Sequence, residues 1–448
     1  MATICAISSP YGAGGIAVIR VSGEESISIV DTLFKGRVSL IDAAPNTVHL
    51  GRIQRIQESR AENPEVLDEV LCSVFRAPHS FTGEDTVEIA CHGSIYIQQT
   101  LLQWLIDAGC RAAEPGEFTR RAFLNGKMDL AQAEAVADLI AAQSKAEKDL
   151  ALSQLRGSVS NELASLRERL LHFTSLIELE LDFADHEELE FADRTELTNL
   201  ADEIETKLQQ LLSSFRTGNA IRNGIPVAIV GAPNVGKSTL LNALLGEQRA
   251  IVSDIKGTTR DTIEDTLVLD GILFRLIDTA GLRETADTLE NMGIERSRKA
   301  VQQAQIIISV VERGTAEVPI DVRPEQTLIK VYNKIDLLMP DERMNLIDGI
   351  CISAKHGVIA PLQKALVRTA QESFKTSAVM LSNARHYEAI TRAHEAIVRV
   401  QQGLKDGLSD ELLSMDLQDC LSALGEVTGQ ITNQEVLANI FSKFCIGK

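Results

Sequence analysis

Gly231-Ala232-Pro233-Asn234-Val235-Gly236-Lys237-Ser238 carries the clearest chemistry in the chain. The pattern G-x-x-x-x-G-K-[ST] builds a loop whose backbone N–H groups wrap phosphate oxygens. Its lysine reaches the β- and γ-phosphates and its hydroxyl ligates magnesium. The octet follows an apolar run, PVAIV, and precedes TLLNALLG, so the phosphates would meet a helix N-terminus. Asn234, Val235, Gly236, Lys237, Ser238 and Thr239 are the candidate phosphate-side residues. Asp278-Thr279-Ala280-Gly281 closes the strand-like FRLID; Asp278 can hold magnesium through water, and the Gly281 N–H can meet the γ-phosphate. Asn333-Lys334-Ile335-Asp336 follows TLIKVY. Asp336 can accept from guanine N1 and N2, a donor pair that adenine lacks. Ser353-Ala354-Lys355 can supply a backbone N–H to guanine O6. Four motifs in this order specify a GTPase.

Between the first two motifs lies Lys256-Gly257-Thr258-Thr259-Arg260-Asp261. Thr259 has the position of a switch threonine, whose hydroxyl binds magnesium only while the γ-phosphate is present. The GTTRD run resembles the Era-like branch of P-loop GTPases. Leu282 follows Gly281, where Ras-like proteins carry the glutamine that orients the attacking water, and leucine cannot do that. Asn234 together with GTTRD points to GTPases in which a potassium ion does the electrostatic work of an arginine finger. Glu290 has two readings, a water-orienting carboxylate or a solvated helix-cap charge. Its spacing alone favours the second.

These motifs occupy one region of a chain of 448 residues, a length for two to four domains. Hydrophobic residues are 44% and charged residues 24%, as in globular proteins. No apolar stretch is long enough to span a membrane, and MATICAISSPYGAGG does not read as a secretory signal. Seven scattered cysteines form no C-x-x-C pair, which fits a reducing, cytoplasmic compartment. A net charge of −19 opposes indiscriminate nucleic-acid binding, and 4% aromatics with a single Trp104 make broad base-stacking platforms improbable.

The expected fold class is multidomain. Residues 1–120 read as an α+β domain, with strands at AVIRV (17–21) and VLCSVF (70–75) and a helix over 97–108. Residues 121–220 carry long helical periodicity with Gly rare and Pro absent. NAIRNGIP (219–226) reads as a linker. An α/β P-loop domain follows over 221–377, with 313–326 loosely structured. Residues 378–448 are helical again. The architecture is thus a discontinuous all-α domain with a Ras-like domain inserted in it.

GAGGIAVIRVSG (12–23), APHSFTGEDTVEIACHG (77–93), PGEFTRRAFLNGKMDLAQAEAVADLI (115–140), LGEVTG (424–429) and the ending IFSKFCIGK (440–448) join the four motifs. With them the whole chain resembles the tRNA-modification GTPase family MnmE, also called TrmE. The resemblance implies a folate-binding, dimerising N-terminal domain, a split helical domain and an inserted G domain. It implies addition of a carboxymethylaminomethyl or aminomethyl group to C5 of the tRNA wobble uridine, together with FAD-containing MnmG in a heterotetramer or larger complex. The one-carbon unit would come from a tetrahydrofolate, 5-formyl- or methylene-, held by Arg20, Glu88, Lys127 and terminal Lys448. Read from the residues alone, Arg20 and Lys127 would be surface charges and Glu88 a strand-face carboxylate.

The same resemblance places potassium at Asn234, Ser253, Ile255 and Thr258, and magnesium at Ser238 and Thr259. Asp254, Lys256 and Gly257 fall in the same nucleotide loop. Glu290 becomes the catalytic glutamate, and G domains would pair across a homodimer when GTP and potassium are bound. Cys445 is the candidate nucleophile or one-carbon handler, although a cysteine near a terminus is ordinarily a small buried hydrophobe. The acidic run 177–191 reads as a solvated face, and His386 and His92 as structural residues. Glu312 stands where many G domains have Asp. Affinity for tRNA is expected in the partner or in a patch of Arg111, Arg120, Arg121 and Lys127. Two competing readings are a regulatory Era-like GTPase that binds RNA, which would need a basic appendage that the C-terminal segment lacks, and a folate-binding protein in which GTP only regulates.

Overall fold

The computed structural model describes residues 1–55, 64–182, 193–248, 265–277, 298–339, 346, 348–373, 379–432, 434–442 and 444–447. They divide into two units, Met1–Ala137 with Thr428–Lys448, and Asp138–Val427.

Alternation of period two builds the first unit's sheet. Its elements are β1 (Ile4–Ile7), β2 (Ile16–Ser22), α1 (Ser26–Leu33), β3 (Phe34–Gly36), β4 (Thr47–Arg55), β5 (Glu65–Phe75), β6 (Thr86–His92), α2 (Ile95–Asp107), β7 (Arg111–Ala112) and α3 (Glu117–Leu124), followed by α4 (Leu130–Ala141). The seven strands lie in the order β3-β4-β5-β6-β2-β1-β7. All neighbours are antiparallel except β1 and β7. Ala17, Ile19 and Val21 of β2, Val70, Cys72 and Val74 of β5, and Val87, Ile89 and Cys91 of β6 point to one face. There they pack against Ile27 and Val30 of α1 and Leu101, Trp104 and Leu105 of α2. The intervening residues of β2 and β6, Arg20 and Glu88 among them, belong to the opposite face and sit directly across from each other in the register.

In the second unit a helical bundle is formed by α5 (Lys145–Leu155), α6 (Ser158–Asp182), α7 (Arg194–Asn223) and two later helices, and a second sheet adjoins it. That sheet has β8 (Ile225–Val230), α8 (Lys237–Gln248), β9 (Asp265–Leu269), β10 (Ile272–Leu276), β11 (Ile306–Val311), β12 (Thr327–Tyr332), β13 (Ile350–Cys351) and α9 (Ala360–Ser373). The order is β13-β12-β11-β8-β10-β9. It is parallel throughout except for the β9–β10 hairpin. The near-continuous apolar strands IPVAIV and IIISVV are what a parallel sheet covered on both faces requires. α10 (Ala384–Asp406) and α11 (Asp410–Thr428) complete the bundle. Its core combines Leu163, Leu166 and Leu170 of α6 with Leu200, Ile204 and Leu208 of α7, Ile390, Ala393 and Ile397 of α10 and Leu417 and Leu424 of α11.

The structure corrects the expected linker. Residues 219–223 are the last turn of the 30-residue α7, and β8 begins at Ile225, so Gly224 alone separates helix from strand. Gly and Asn in NAIRNGIP suggested a loop, but Ala220 and Ile221 are buried and keep the helical register to its end. By contrast, 313–326 holds neither helix nor strand. The packing units also differ from the boundaries read in the sequence. Residues 121–137 and 428–447 pack with the N-terminal sheet, through a cluster of Leu130, Ala133 and Phe441, the last on α12 (Gln434–Ser442). In the tail beyond it, Ser8 Oγ donates to the Gly447 carbonyl at 3.0 Å. Gly447 has φ +94°, and a Cβ there would strike the Ile7 carbonyl, so only glycine fits that approach.

Arg121 organises the first unit's interior. Its side chain is only 3% exposed and donates to both Glu84 oxygens at 3.0 and 3.1 Å, to Glu117 at 3.0 Å and to the Ala2 carbonyl at 2.7 Å. Glu117 also pairs with Arg111. Burial alone would raise the Glu117 pKa, but the Arg111 contact, the Glu114 N–H and Arg121 together hold it below the ordinary carboxylate value. A depressed carboxylate stabilises the fold above its unfolded pKa, and that contribution is lost as pH falls through the folded value. Arg121→Met leaves Glu117 buried beside one fewer cation. Urea denaturation should show a loss of about 3–5 kcal/mol at neutral pH, shrinking as the buffer is acidified below about pH 4.

Candidate functional site

The loops that follow β8, β12 and β13 all leave the C-terminal edge of one parallel sheet, the edge where open α/β sheets bind ligands. The first is the phosphate loop. Asn234 is left-handed at φ +63°, and Gly236 has φ +96°. A Cβ on Gly236 would collide with the Asn333 amide nitrogen. Lys237 opens α8 and reaches back across the loop, donating to the Gly231 and Ala232 carbonyls, both at 2.9 Å. Burial lowers its pKa from the ordinary lysine value. Anionic phosphate oxygens would favour the charged form again. Ser238 and Thr239 are exposed in the first turn of α8, and Val235 is buried beneath the loop.

Asn333 joins the loop after β8 to the turn after β13. Its side-chain NH2 donates to the Val235 carbonyl at 2.8 Å, and its side-chain oxygen accepts the Ala354 N–H at 3.0 Å. It is buried at 4% exposure, so both bonds form out of water, where losing either is costly. Asp336 accepts from Ser353 Oγ at 2.5 Å and lies 3.5 Å from His356 Nε2. The Ser353 hydroxyl is the main reason its pKa is lowered, so Asp336 stays ionised as an acceptor. Lys334 is left-handed at φ +61° and pairs with Glu312 at 2.6 Å. The longer carboxylate at 312 thus has a role that its sequence position did not reveal. Lys355 lies exposed in the short 3-10 turn after Ser353.

Ser253, Asp254, Ile255, Lys256, Gly257, Thr258, Thr259, Asp278, Thr279, Ala280, Gly281, Leu282, Glu290 and Lys448 lie outside the described residues. So does most of the acidic run; within its described part, Glu180 pairs with Arg194 at 2.6 Å.

In the other unit, Arg20 contacts Glu88 Oε1 through Nε at 2.9 Å and Nη2 at 2.8 Å. The guanidinium carbon stands 5.3 Å from the Phe81 ring and 5.5 Å from the Phe118 ring. Arg20 is therefore a half-buried, stacked cation rather than a free surface charge. Lys127 Nζ donates to the Pro78 carbonyl at 2.9 Å. The Cys445 carbonyl accepts from the Gly116 N–H at 3.4 Å, and its side chain is exposed, unlike the buried hydrophobe such a position ordinarily holds. His92 donates its backbone N–H to Asp68 at 2.8 Å and contacts it through Nδ1 at 2.7 Å. His386 is buried in the first turn of α10.

The expected basic patch is corrected. Arg111 pairs with Glu117, Arg120 with Glu114 at 3.0 Å, and Arg121 is buried among carboxylates. Of the four residues proposed, only Lys127 has a carbonyl rather than a carboxylate as its partner. A neutralised cluster offers little counterion release to a phosphate backbone.

A P-loop, an Asn-Lys-x-Asp segment and a Ser-Ala-Lys turn tied together at one edge of a parallel sheet define a P-loop GTPase. Likeness to known proteins covers the rest of the chain. The model for the GTP-binding protein TrmE N-terminus matches residues 3–127, and that for the MnmE helical domain matches residues 130–445. The tRNA modification GTPase MnmE of Parabacteroides distasonis is 54% identical over all of both chains. The MnmE of Porphyromonas gingivalis is 51% identical over all of this chain and 98% of its own. The chain belongs to the MnmE family of tRNA modification GTPases. Among solved structures, the G domain of the T. maritima FeoB iron transporter covers 33% of this chain at 24% identity and TM-score 0.23. No helix among the described residues is long and apolar enough to cross a membrane.

Asp336→Asn replaces a two-point acceptor with a group that presents a donor. GTP affinity should fall about 10- to 150-fold, and xanthosine triphosphate should bind better than GTP, as read by fluorescent-nucleotide competition.

Proposed function

We propose that this chain is the GTP-hydrolysing component of tRNA wobble-uridine C5 modification, working with an FAD-containing MnmG partner and a tetrahydrofolate one-carbon donor. The observation that carries the reading is the docking of Cys445–Gly447 against Ser8, just after β1, and Gly116, at the start of α3, in the unit whose sheet presents the Arg20–Glu88 pair. A thiol from the far end of the chain thereby belongs to the same unit as a planar cation–carboxylate pair flanked by two aromatic rings.

The residues fit the groups they would hold. Ser238 offers an exposed hard oxygen beside Lys237, as magnesium requires. Asn234 offers an amide oxygen at an exposed left-handed bend, suited to potassium. Both Arg20 contacts fall on Oε1 of Glu88, so Oε2 is the oxygen that would accept hydrogen bonds from an aminopyrimidine edge. Half-buried Phe81 would supply an apolar wall, and fully buried Phe118 backs the Arg20 guanidinium from the core. Lys127 and Lys448 would meet folate carboxylates. When bound, potassium would supply positive charge near the α- and γ-phosphates.

In hydrolysis, the P-loop amides and Lys237 fix the phosphates, Asp336 selects guanine, and Glu290 orients water in place of Leu282. Pairing of G domains across a homodimer would complete the site. Nucleotide-dependent opening and closing would then bias the modification chemistry, provided GTP favours one arrangement by its binding energy.

Hydrolysis measured in potassium and in sodium at matched ionic strength, over a range of protein concentrations, tests this. The expected outcome is a strong potassium requirement and faster turnover per subunit as concentration rises. A slow rate indifferent to both rejects cation-assisted pairing. Separately, Glu88→Ala should weaken 5-formyltetrahydrofolate binding about 10-fold or more by calorimetry while potassium-stimulated hydrolysis is retained. Cys445→Ser should abolish modified uridine in cellular tRNA, and unchanged modification would remove the thiol from the chemistry.

A further inference from the structure

The β9–β10 hairpin makes a contact that nucleotide binding does not explain. Its strands pair over five residues, from Ile272 opposite Leu269 to Leu276 opposite Asp265. β9 is the sheet edge, with β10 as its neighbour. One end of the hairpin runs in sequence directly into the segments that carry Thr259 and Asp278. The other end, the turn Asp270-Gly271, is held by the helical bundle. The Ala146 N–H at the start of α5 donates to the Gly271 carbonyl at 3.0 Å, and Lys145 Cβ lies 3.0 Å from where a Gly271 side chain would begin.

The far end of α5 is tied as well. Gln154 Nε2 donates to the Met380 carbonyl at 3.1 Å and to Ser382 Oγ at 3.0 Å. These residues lie in the segment by which the chain returns from α9 to α10. The first turn of α5 is braced locally. Ser144 Oγ accepts the Glu147 N–H at 3.2 Å and donates to Glu147 Oε1 at 3.0 Å, while the Gln143 N–H donates to Oε2 at 2.7 Å. Beside α5 lies a cavity of about 190 Å³, lined by Asp138, Ala142, Leu150, Gln154, Arg222 and Ser382. α5 therefore has fixed ends and free space along its side.

We infer that α5 sets the position of the β9–β10 hairpin for GTP hydrolysis, with Ala146 and Gln154 as positioning residues that act through Gly271 on the hairpin. A five-residue antiparallel ladder moves as a body, so a shift at its turn is delivered to its open end. Reciprocity requires that nucleotide state also change the hold on α5. The inference rests on the GTPase reading above.

Hydrogen exchange on the full chain, with magnesium, potassium and either GDP or a non-hydrolysable GTP analogue, reads α5 directly. The Ala146 amide should exchange at rates that differ about fivefold or more between the two states. Ala146→Pro removes the bond to Gly271 in the first helical turn, where the N–H has no partner within the helix. It should lower kcat about fivefold or more and leave GDP affinity unchanged, because the P-loop, Asn333 and Asp336 are untouched. Gln154→Ala releases the other end and should also lower kcat; it carries the test if the proline variant does not fold. Equal exchange in the two states, or wild-type kcat in a folded variant, overturns the inference. Wild-type hydrolysis is measured alongside, and its absence would count against the GTPase reading, separately from the role of α5.

Discussion

Helix α7 is continuous for 30 residues and passes into β8 through Gly224 alone. At 1.5 Å per residue it is about 45 Å long. One part of its buried face, Leu197 to Leu211, fills the bundle core, and its last buried residues include Gly218, Ala220 and Ile221. A Cβ on Gly218 would strike the Leu381 carbonyl, so the outgoing and returning connections of the inserted domain are packed against each other. The Ser214 hydroxyl accepts the Leu381 N–H at 3.1 Å and secures the same crossing. A joint of this kind transmits rotation between the two parts, which a glycine-rich tether would dissipate.

At the nucleotide edge, Asn333 plays the corresponding part on a smaller scale. One amide side chain fixes the spacing between the loop at Val235 and the turn at Ala354. Because the group is buried, its two bonds are geometrically demanding, and the three loops behave as one preformed cradle. The ion pair of Lys334 with Glu312 supports the same loop from the neighbouring strand end.

Much of this was legible in the residues. The phosphate loop after β8 and the gathering of Asn333, Asp336 and Ser353 at the same sheet edge follow from motifs whose backbone requirements are local: a helix N-terminus after an apolar strand, a carboxylate two residues after Lys334, glycines where φ is positive. What was not legible depended on partners distant in sequence. Arg121 looked like part of a basic patch because Glu84, 37 residues away, meets it only in the folded unit, whereas Glu114 and Glu117, the partners of Arg120 and Arg111, lie six residues off. The false linker at 219–226 arose because Gly and Asn are weak helix formers, whereas tertiary burial of Ala220 and Ile221 decided the outcome. The Arg20–Glu88 contact is a cross-strand register fact, 68 residues apart, and no local pattern announces it.

The contact of Ser8 with Gly447 joins residues 439 positions apart, which has a consequence for biosynthesis. The N-terminal sheet leaves the ribosome early, yet the strip that finishes its packing is made only after all of Asp138–Val427. Closing so long a loop in an unfolded chain is entropically unfavourable. Leu130 and Gly429, which flank the intervening unit, lie in contact in the finished fold. Prior folding of that unit therefore brings the distant strip near and shortens the effective loop. The last strip to pack on the N-terminal sheet is therefore synthesised after Asp138–Val427.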